Sequence, residues 1–149
     1  MYATVANGLA DYLKHSRPSL KVFLLTGSTE MSARGQMEKD FAALPQDTPA
    51  VWIATITAGG MGMTLTAADT VVFMDKDWRP KINEQAEDRA HRIGQKDNVQ
   101  VISLIARDTV EEHVERVLDK KRALFDDIIE KDGGFQAVRF TFDDLKELL

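Results

Sequence analysis

The chain contains no cysteine, which removes disulfide frameworks and thiolate metal sites and fits a reducing intracellular compartment. No apolar run approaches the roughly 18 residues needed to cross a bilayer, and the N-terminus lacks the charged-then-apolar order of a signal peptide. A soluble intracellular protein with no membrane partner is expected. Positive charge is also scarce: 19 Lys and Arg face 24 Asp and Glu, for a net charge of -5. Phosphate-dominated binding draws on an excess of cations, so the charge argues against a free-standing nonspecific nucleic-acid binder, and any DNA contact must be local. The three histidines, His15, His91 and His113, lie far apart without an HExxH pattern, so no metal site is expected.

What remains is a length of 149 residues, 44% of them hydrophobic, enough to bury one core. A helix is expected from about Tyr2 to His15, with Val5, Leu9, Tyr12 and Leu13 on its inner face. Pro18 ends it, and Lys21 to Leu25 reads as a buried strand running into a polar loop at Gly27, Ser28 and Thr29. A second helix is expected from about Ser32 to Leu44, with Met37, Phe41 and Leu44 aligned. Val51 to Thr55 and Thr70 to Met74 are further strands, separated by a glycine loop and then a short helix. Pro80 suits the first turn of a helix continuing through Gln85 and Arg92 until Gly94 stops it.

A strand follows over Val99 to Ile105. Thr109 and Glu112 have the spacing of a capping box before a long helix whose apolar face carries Val110, Val114, Val117, Leu118, Leu124, Phe125 and Ile128. Beyond Gly134, Val138, Phe140 and Phe142 alternate like a strand, and Thr141 with Asp144 forms the signature of a last short helix. Alternating strands and helices imply an α/β fold with a mostly parallel sheet covered on both faces, and ligands at the carboxyl ends of its strands.

The segment QAEDRAHRIGQ, from Gln85 to Gln95, carries the strongest chemical signal. On a continuous helix Gln85, Arg89 and Arg92 fall at i, i+4 and i+7 and share one face. Two adjacent guanidiniums repel each other and are poor core material, so the arrangement suits an anion such as a transferring phosphoryl group. Charge spacing alone favours a plainer reading, a solvated face whose arginines pair with Glu87 or Asp88.

The same segment closely resembles the sixth helicase motif of superfamily-two ATPases, in the form used by the SWI/SNF chromatin-remodeller family. TITAGGMGMTLTAADTVVFMD, from Thr55 to Asp75, is similar to that family's fifth motif and the strand after it, and DKDWRP, from Asp75 to Pro80, to the linker joining the two. LTGSTEMSARGQMEKDF (Leu25 to Phe41) and VQVISLIARDTVEEHV (Val99 to Val114) extend the resemblance over most of the chain. Three motifs in order without a gap are far more specific than any one short pattern.

The resemblance implies a RecA-like three-layer lobe over residues 1–134, lacking its first strand, with a strand and helix extension over residues 135–149. It implies the second motor lobe of an ATP-dependent double-stranded-DNA translocase or remodeller, with ATP and Mg²⁺ held mainly by a first RecA-like lobe of the same protein. In that frame Arg92 is the arginine finger, Arg89 its companion, and Gln85 the link between nucleotide and closure. Gly60, Gly62 and Asp88 would lie at the nucleotide, where a missing Cβ allows close approach. Gly27, Ser28, Thr29, Arg34, Thr55, Thr57 and Trp78 would face DNA.

Plainer readings stand beside these. Glycine clusters usually mark turns, hydroxyls before a helix usually cap it, and an aromatic before proline is more often packing. His91 is expected to orient its helix, and Met61 and Met63 to fill core.

The chain has no GxxxxGK[ST] loop, so an active site requires the other lobe. The resemblance also implies a first apolar strand before the Tyr2 helix that this sequence lacks, so a fragment is expected, inactive in isolation and with an exposed sheet edge. The alternative is a non-catalytic DNA- or protein-binding module derived from such a lobe. A strand-separating helicase or restriction-system motor is a third reading, disfavoured by the AHRIGQ form. Localisation follows the host: cytoplasmic and nucleoid-associated if prokaryotic or viral, nuclear if eukaryotic, with the compact motif spacing leaning toward the former.

Overall fold

A computed structural model describes residues 2–45, 47–59 and 62–132, excluding the side chains of Thr57 and of residues 122–132. Gly60, Met61 and the strand and helix expected beyond Gly134 lie outside the described residues. The elements run α1 (Ala3–Ser16), β1 (Lys21–Leu25), α2 (Met31–Ala42), β2 (Ala50–Ala54), α3 (Ile56–Gly59), β3 (Thr70–Phe73), α4 (Pro80–Glu87), β4 (Gln100–Ser103) and α5 (Val110–Asp132). The order is α/β, with parallel strands and flanking helices as expected. The chain divides into two compact units: Met1–Asp77 with Lys81–Leu104, and Trp78–Pro80 with the residues from Ile105 onward.

In the first unit the strands pair as β1 with β2 and β3 with β4, each pair parallel and joined through a helix. The single continuous sheet implied by the sequence is thus two parallel pairs among the described residues. In the β1–β2 register, Val22 stands opposite Val51 and Leu24 opposite Ile53, while Phe23 stands opposite Trp52 and Leu25 opposite Ala54. Alternation along a strand sends these two sets to opposite faces. Val22, Leu24, Val51 and Ile53 pack with Ala6, Leu9, Ala10 and Leu13 of α1. On the other face Phe23, Trp52 and Phe41 of α2 form an aromatic triad, with Phe23 and Trp52 stacked at 5.7 Å and Phe41 edge-on to both. Leu25, Ala58 and Met63 form a second cluster with Trp52 and Ala54, which puts Met63 in the core as expected.

The inner stripe of α1 differs from expectation. Ala6 and Ala10 are fully buried, whereas Val5 and Tyr12 are exposed. Alanine carries no side chain beyond Cβ, so the helix can lie close against the strands, and Leu9 and Leu13 fill the margins. In α2 the buried residues are Arg34 and Phe41, and the helix ends before Leu44.

In the second unit, Thr109 stands before α5, its hydroxyl donating to Ala106 O and accepting from Glu111 N–H. The reciprocal carboxylate is that of Glu111, which accepts from Ala106 N–H at 2.8 Å, rather than Glu112 as the spacing suggested. Asp108, at φ 58°, turns the chain so that Ala106 rather than the cap residue itself meets the acid. Leu118 is fully buried and Val110 is exposed at the first turn.

Candidate nucleotide site and nucleic-acid interface

The sequence implied one helix from Pro80 to Gly94, but α4 stops at Glu87. Beyond that point tertiary bonds hold the chain out of helix. A continuing helix would spend the carbonyls of Arg89 and Ala90 on the amides four residues later. Instead Arg89 O accepts from Leu65 N–H at 2.8 Å, and Ala90 O accepts from the Gln95 carboxamide at 3.3 Å. The same Gln95 nitrogen donates to Ala68 O at 2.8 Å, and its oxygen accepts from the Lys96 and Asp97 amides. Residues 88–94 therefore leave as tight turns, with Gly94 at φ +108° completing the reversal.

The predicted convergence survives the loss of helix. Gln85, Asp88, Arg89 and Arg92, joined by His91 and Ile93, line one open depression of about 400 Å³. Ala90 is buried beneath them. The Arg92 guanidinium donates to the Thr64 hydroxyl at 3.3 Å, and among the described residues this is its hydrogen bond. Thr64 N–H in turn donates to the Glu38 carboxylate of α2 at 3.0 Å. The exposed Arg92 guanidinium and the half-buried Arg89, beside a carboxamide and an imidazole, make a donor-rich surface suited to phosphate oxygens. Arg89 and Arg92 thus sit together on a framework tied to the glycine segment by the Leu65–Arg89 backbone bond and the Gln95 carboxamide.

Gly62 has φ +73°, a region that side-chain-bearing residues enter at a cost, and a Cβ there would meet no atom within 4 Å. Backbone conformation supplies the need for glycine at this position within the chain itself.

The loop after β1 is held by its own hydroxyls. Thr26 N–H donates to Thr29 Oγ1 at 3.0 Å, Thr26 and Ser28 hydroxyls lie 2.8 Å apart, and Thr29 N–H donates to Thr26 O. Arg34, almost fully buried, donates from Nε to Thr29 O at 2.9 Å and props the loop from below. Gly27 and Ser28 lie exposed at its tip. Thr55 is buried, its N–H donating to Leu25 O, and Thr57 lies on α3. The Gly27–Thr29 loop follows the carboxyl end of β1, and Thr55 and Thr57 that of β2, where the sequence placed them.

Asn83 is a structural residue that the sequence did not announce. Fully buried, it accepts from Asp77 N–H at 2.9 Å and donates to Asp77 O at 2.7 Å, a two-bond clasp that fixes how the chain enters α4. In the second unit the indole of Trp78 is exposed, with the Lys121 ammonium 5.0 Å from its ring centroid and Arg79 at 5.8 Å. Lys121 also donates to Trp78 O at 3.3 Å. An aromatic face flanked by cations is a recurrent nucleic-acid contact. Glu38 and Thr64 gave no sequence signal, since nothing in a lone glutamate on a helix shows that it meets a backbone amide 26 residues later.

The model of the helicase conserved C-terminal domain matches residues 1–94, and the chain belongs to that family. More narrowly, it is a superfamily-two C-terminal lobe related to SWI/SNF-type chromatin remodellers. It is 42% identical over 114 residues to the chromatin-remodeling ATPase INO80 of Drosophila melanogaster, covering 76% of this chain and 6% of that protein. It is 38% identical over 136 residues to INO80 of Gibberella zeae, covering 89% of this chain and 7% of that protein. The C-terminal part of the Fun30 ATPase domain, solved as a crystal structure, superposes with a TM-score of 0.70 at 32% identity, covering 78% of this chain and 37% of that one. The chain thus spans less than a tenth of the length of these curated relatives.

Proposed function

We propose that this chain is the second motor lobe of an ATP-dependent double-stranded-DNA translocase or remodeller, and that Arg92 and Arg89 complete a nucleotide site shared with a first RecA-like lobe. The observation that carries the reading is the convergence of Gln85, Asp88, Arg89 and Arg92 on one open depression. ATP with Mg²⁺ is bound mainly by the facing lobe in this reading, and closure brings the γ-phosphate to Arg92, the finger. Arg89 shares the growing negative charge, and Gln85 senses the phosphate and transmits closure. A fixed guanidinium acts in this way because its charge is already oriented when the transition state forms.

On the DNA side, the loop tip at Gly27 and Ser28, with Thr29 behind it, meets backbone phosphates, and Arg34 positions that loop rather than reaching out from it. Thr55, buried at the end of β2, supports this strand end from within, and Thr57 and Trp78 add further contacts in this reading. Such phosphate contacts position without reading sequence. Residues 1–134 form the lobe in this reading and 135–149 its extension. The relatives named above come from eukaryotes and are named as chromatin-remodeling ATPases, which supports a nuclear location over the prokaryotic one.

The test is DNA-stimulated ATP hydrolysis by the two-lobe protein, with duplex and single-stranded DNA compared. Arg92→Ala is expected to lower turnover by about 10³-fold or more while duplex binding persists. Triplex displacement without strand separation is the expected mechanical output. Unchanged turnover in Arg92→Ala removes the finger assignment and leaves a binding module.

A further inference from the structure

We propose that Glu38 is a positioning residue for the arginine finger, acting through Thr64; the inference deepens the half-site reading above and rests on it. Arg34, Glu38 and Phe41 share one face of α2 at i, i+4 and i+7, and Arg34 and Phe41 are its buried residues. A carboxylate on such a face is costly unless its oxygens are satisfied. Glu38 is half-buried, and its Oε1 accepts from Thr64 N–H at 3.0 Å, across 26 residues of sequence.

Thr64 stands where three constraints meet. It follows Gly62, whose positive φ bends the chain, and Met63, which is buried in the core. Its neighbour Leu65 donates to Arg89 O, and its own hydroxyl accepts from Arg92 Nη1. A carboxylate on one side and both arginines on the other are therefore keyed to two consecutive residues. The arrangement keeps the acid at one remove from the finger. A direct ion pair would neutralise the guanidinium and compete with phosphate, whereas a threonine hydroxyl orients it, leaves its charge intact and leaves other N–H donors for a ligand. Glu38 anchors the backbone, the backbone holds the hydroxyl, and the hydroxyl sets the resting direction of Arg92.

The experiment measures kcat, KM for ATP, duplex affinity and thermal melting in the two-lobe protein for Glu38→Ala, Glu38→Gln and Thr64→Val, each alone and combined with Arg92→Ala. Glu38→Ala is expected to lower kcat about 10- to 100-fold, the scale on which misplacing a catalytic group acts, with duplex affinity nearly unchanged. Glu38→Gln keeps an acceptor oxygen and is expected to retain kcat within about threefold. Thr64→Val keeps the amide but loses the hydroxyl, and is expected to behave like Glu38→Ala.

In the Arg92→Ala background each change should cost less than about twofold, because residues acting through one group are not additive. Full kcat in Glu38→Ala, or multiplicative losses with Arg92→Ala, overturns the proposal. If Glu38→Ala fails to fold, the Thr64→Val cycle decides by the same criterion. Inactive Arg92→Ala beside an unaffected Glu38→Ala sinks Glu38 alone; an unaffected Arg92→Ala sinks the half-site reading itself.

Discussion

The amide of Leu65 donates to the carbonyl of Arg89 at 2.8 Å, and this bond joins the glycine segment to the arginine segment just beyond the end of α4. A carbonyl claimed from outside is no longer the acceptor that the helix requires four residues on. The turns that follow let Arg92 stay beside Arg89 and reach Thr64. Gln95 makes the parallel connection, linking Ala90 O to Ala68 O through one nitrogen. The last glutamine of the QAEDRAHRIGQ segment is thus a structural brace.

The Asn83 clasp sets the direction of α4 and should be expensive to break. Asn83→Ala leaves the Asp77 amide and carbonyl without their buried partner, and is expected to destabilise the chain by about 2 kcal/mol, measured by denaturant melting. Asn83→Asp keeps the acceptor but turns a donor into an anion facing Asp77 O. It is expected to be the worse of the two at neutral pH and to recover as pH falls, because protonation restores a donor and removes the buried charge. A variant Asn83→Ala with unchanged melting would show the clasp to be dispensable.

Two glycines should respond in opposite directions to the same change. Neither Gly8 nor Gly62 has an atom within 4 Å of an added Cβ, so only the backbone distinguishes them. Gly8 lies inside α1, and Gly8→Ala is expected to stabilise by roughly 0.5–1 kcal/mol. Gly62 has φ +73°, and Gly62→Ala is expected to cost about 1–2 kcal/mol. Equal shifts in melting temperature would contradict the assignment.

Trp78 and Trp52 are separable by acrylamide quenching. Trp78 is exposed, whereas Trp52 lies within the aromatic triad with its Nε1 buried. The accessible component of the emission is expected to vanish in Trp78→Phe and to become more accessible in Lys121→Met, since the ammonium covers one ring face at 5.0 Å. Duplex DNA is expected to shield this component. Shielding absent at saturating DNA would take Trp78 out of the interface.

Much of the fold was legible because its signals are local. KVFLL, AVWIA and TVVF are short apolar runs bounded by turns, and each became a strand within a residue or so of its expected limits. On the inner face of α1, Leu9 and Leu13 pack as their spacing suggests, but Ala6 and Ala10 stand where Val5 and Tyr12 were expected, because a close helix-on-sheet approach selects alanine. The glycine segment was also reversed in order: α3 precedes Gly62 rather than following the glycines. Among the site residues, Gln85, Arg89 and Arg92 were visible as a motif, whereas Glu38, Thr64 and Asn83 are ordinary residues whose partners lie elsewhere in the chain.

The sequence by itself determined the alternation of strand and helix, the acidic balance with one local basic stretch, and the family to which the chain belongs. Periodicity, composition and motif spacing are all properties of neighbours along the chain. Tertiary structure alone decided where α4 ends, which carboxylate supports Arg92, and which side of α1 faces the strands. Each of those outcomes depends on a hydrogen bond or a packing distance between segments far apart in sequence, and such pairings exist only once the chain has folded.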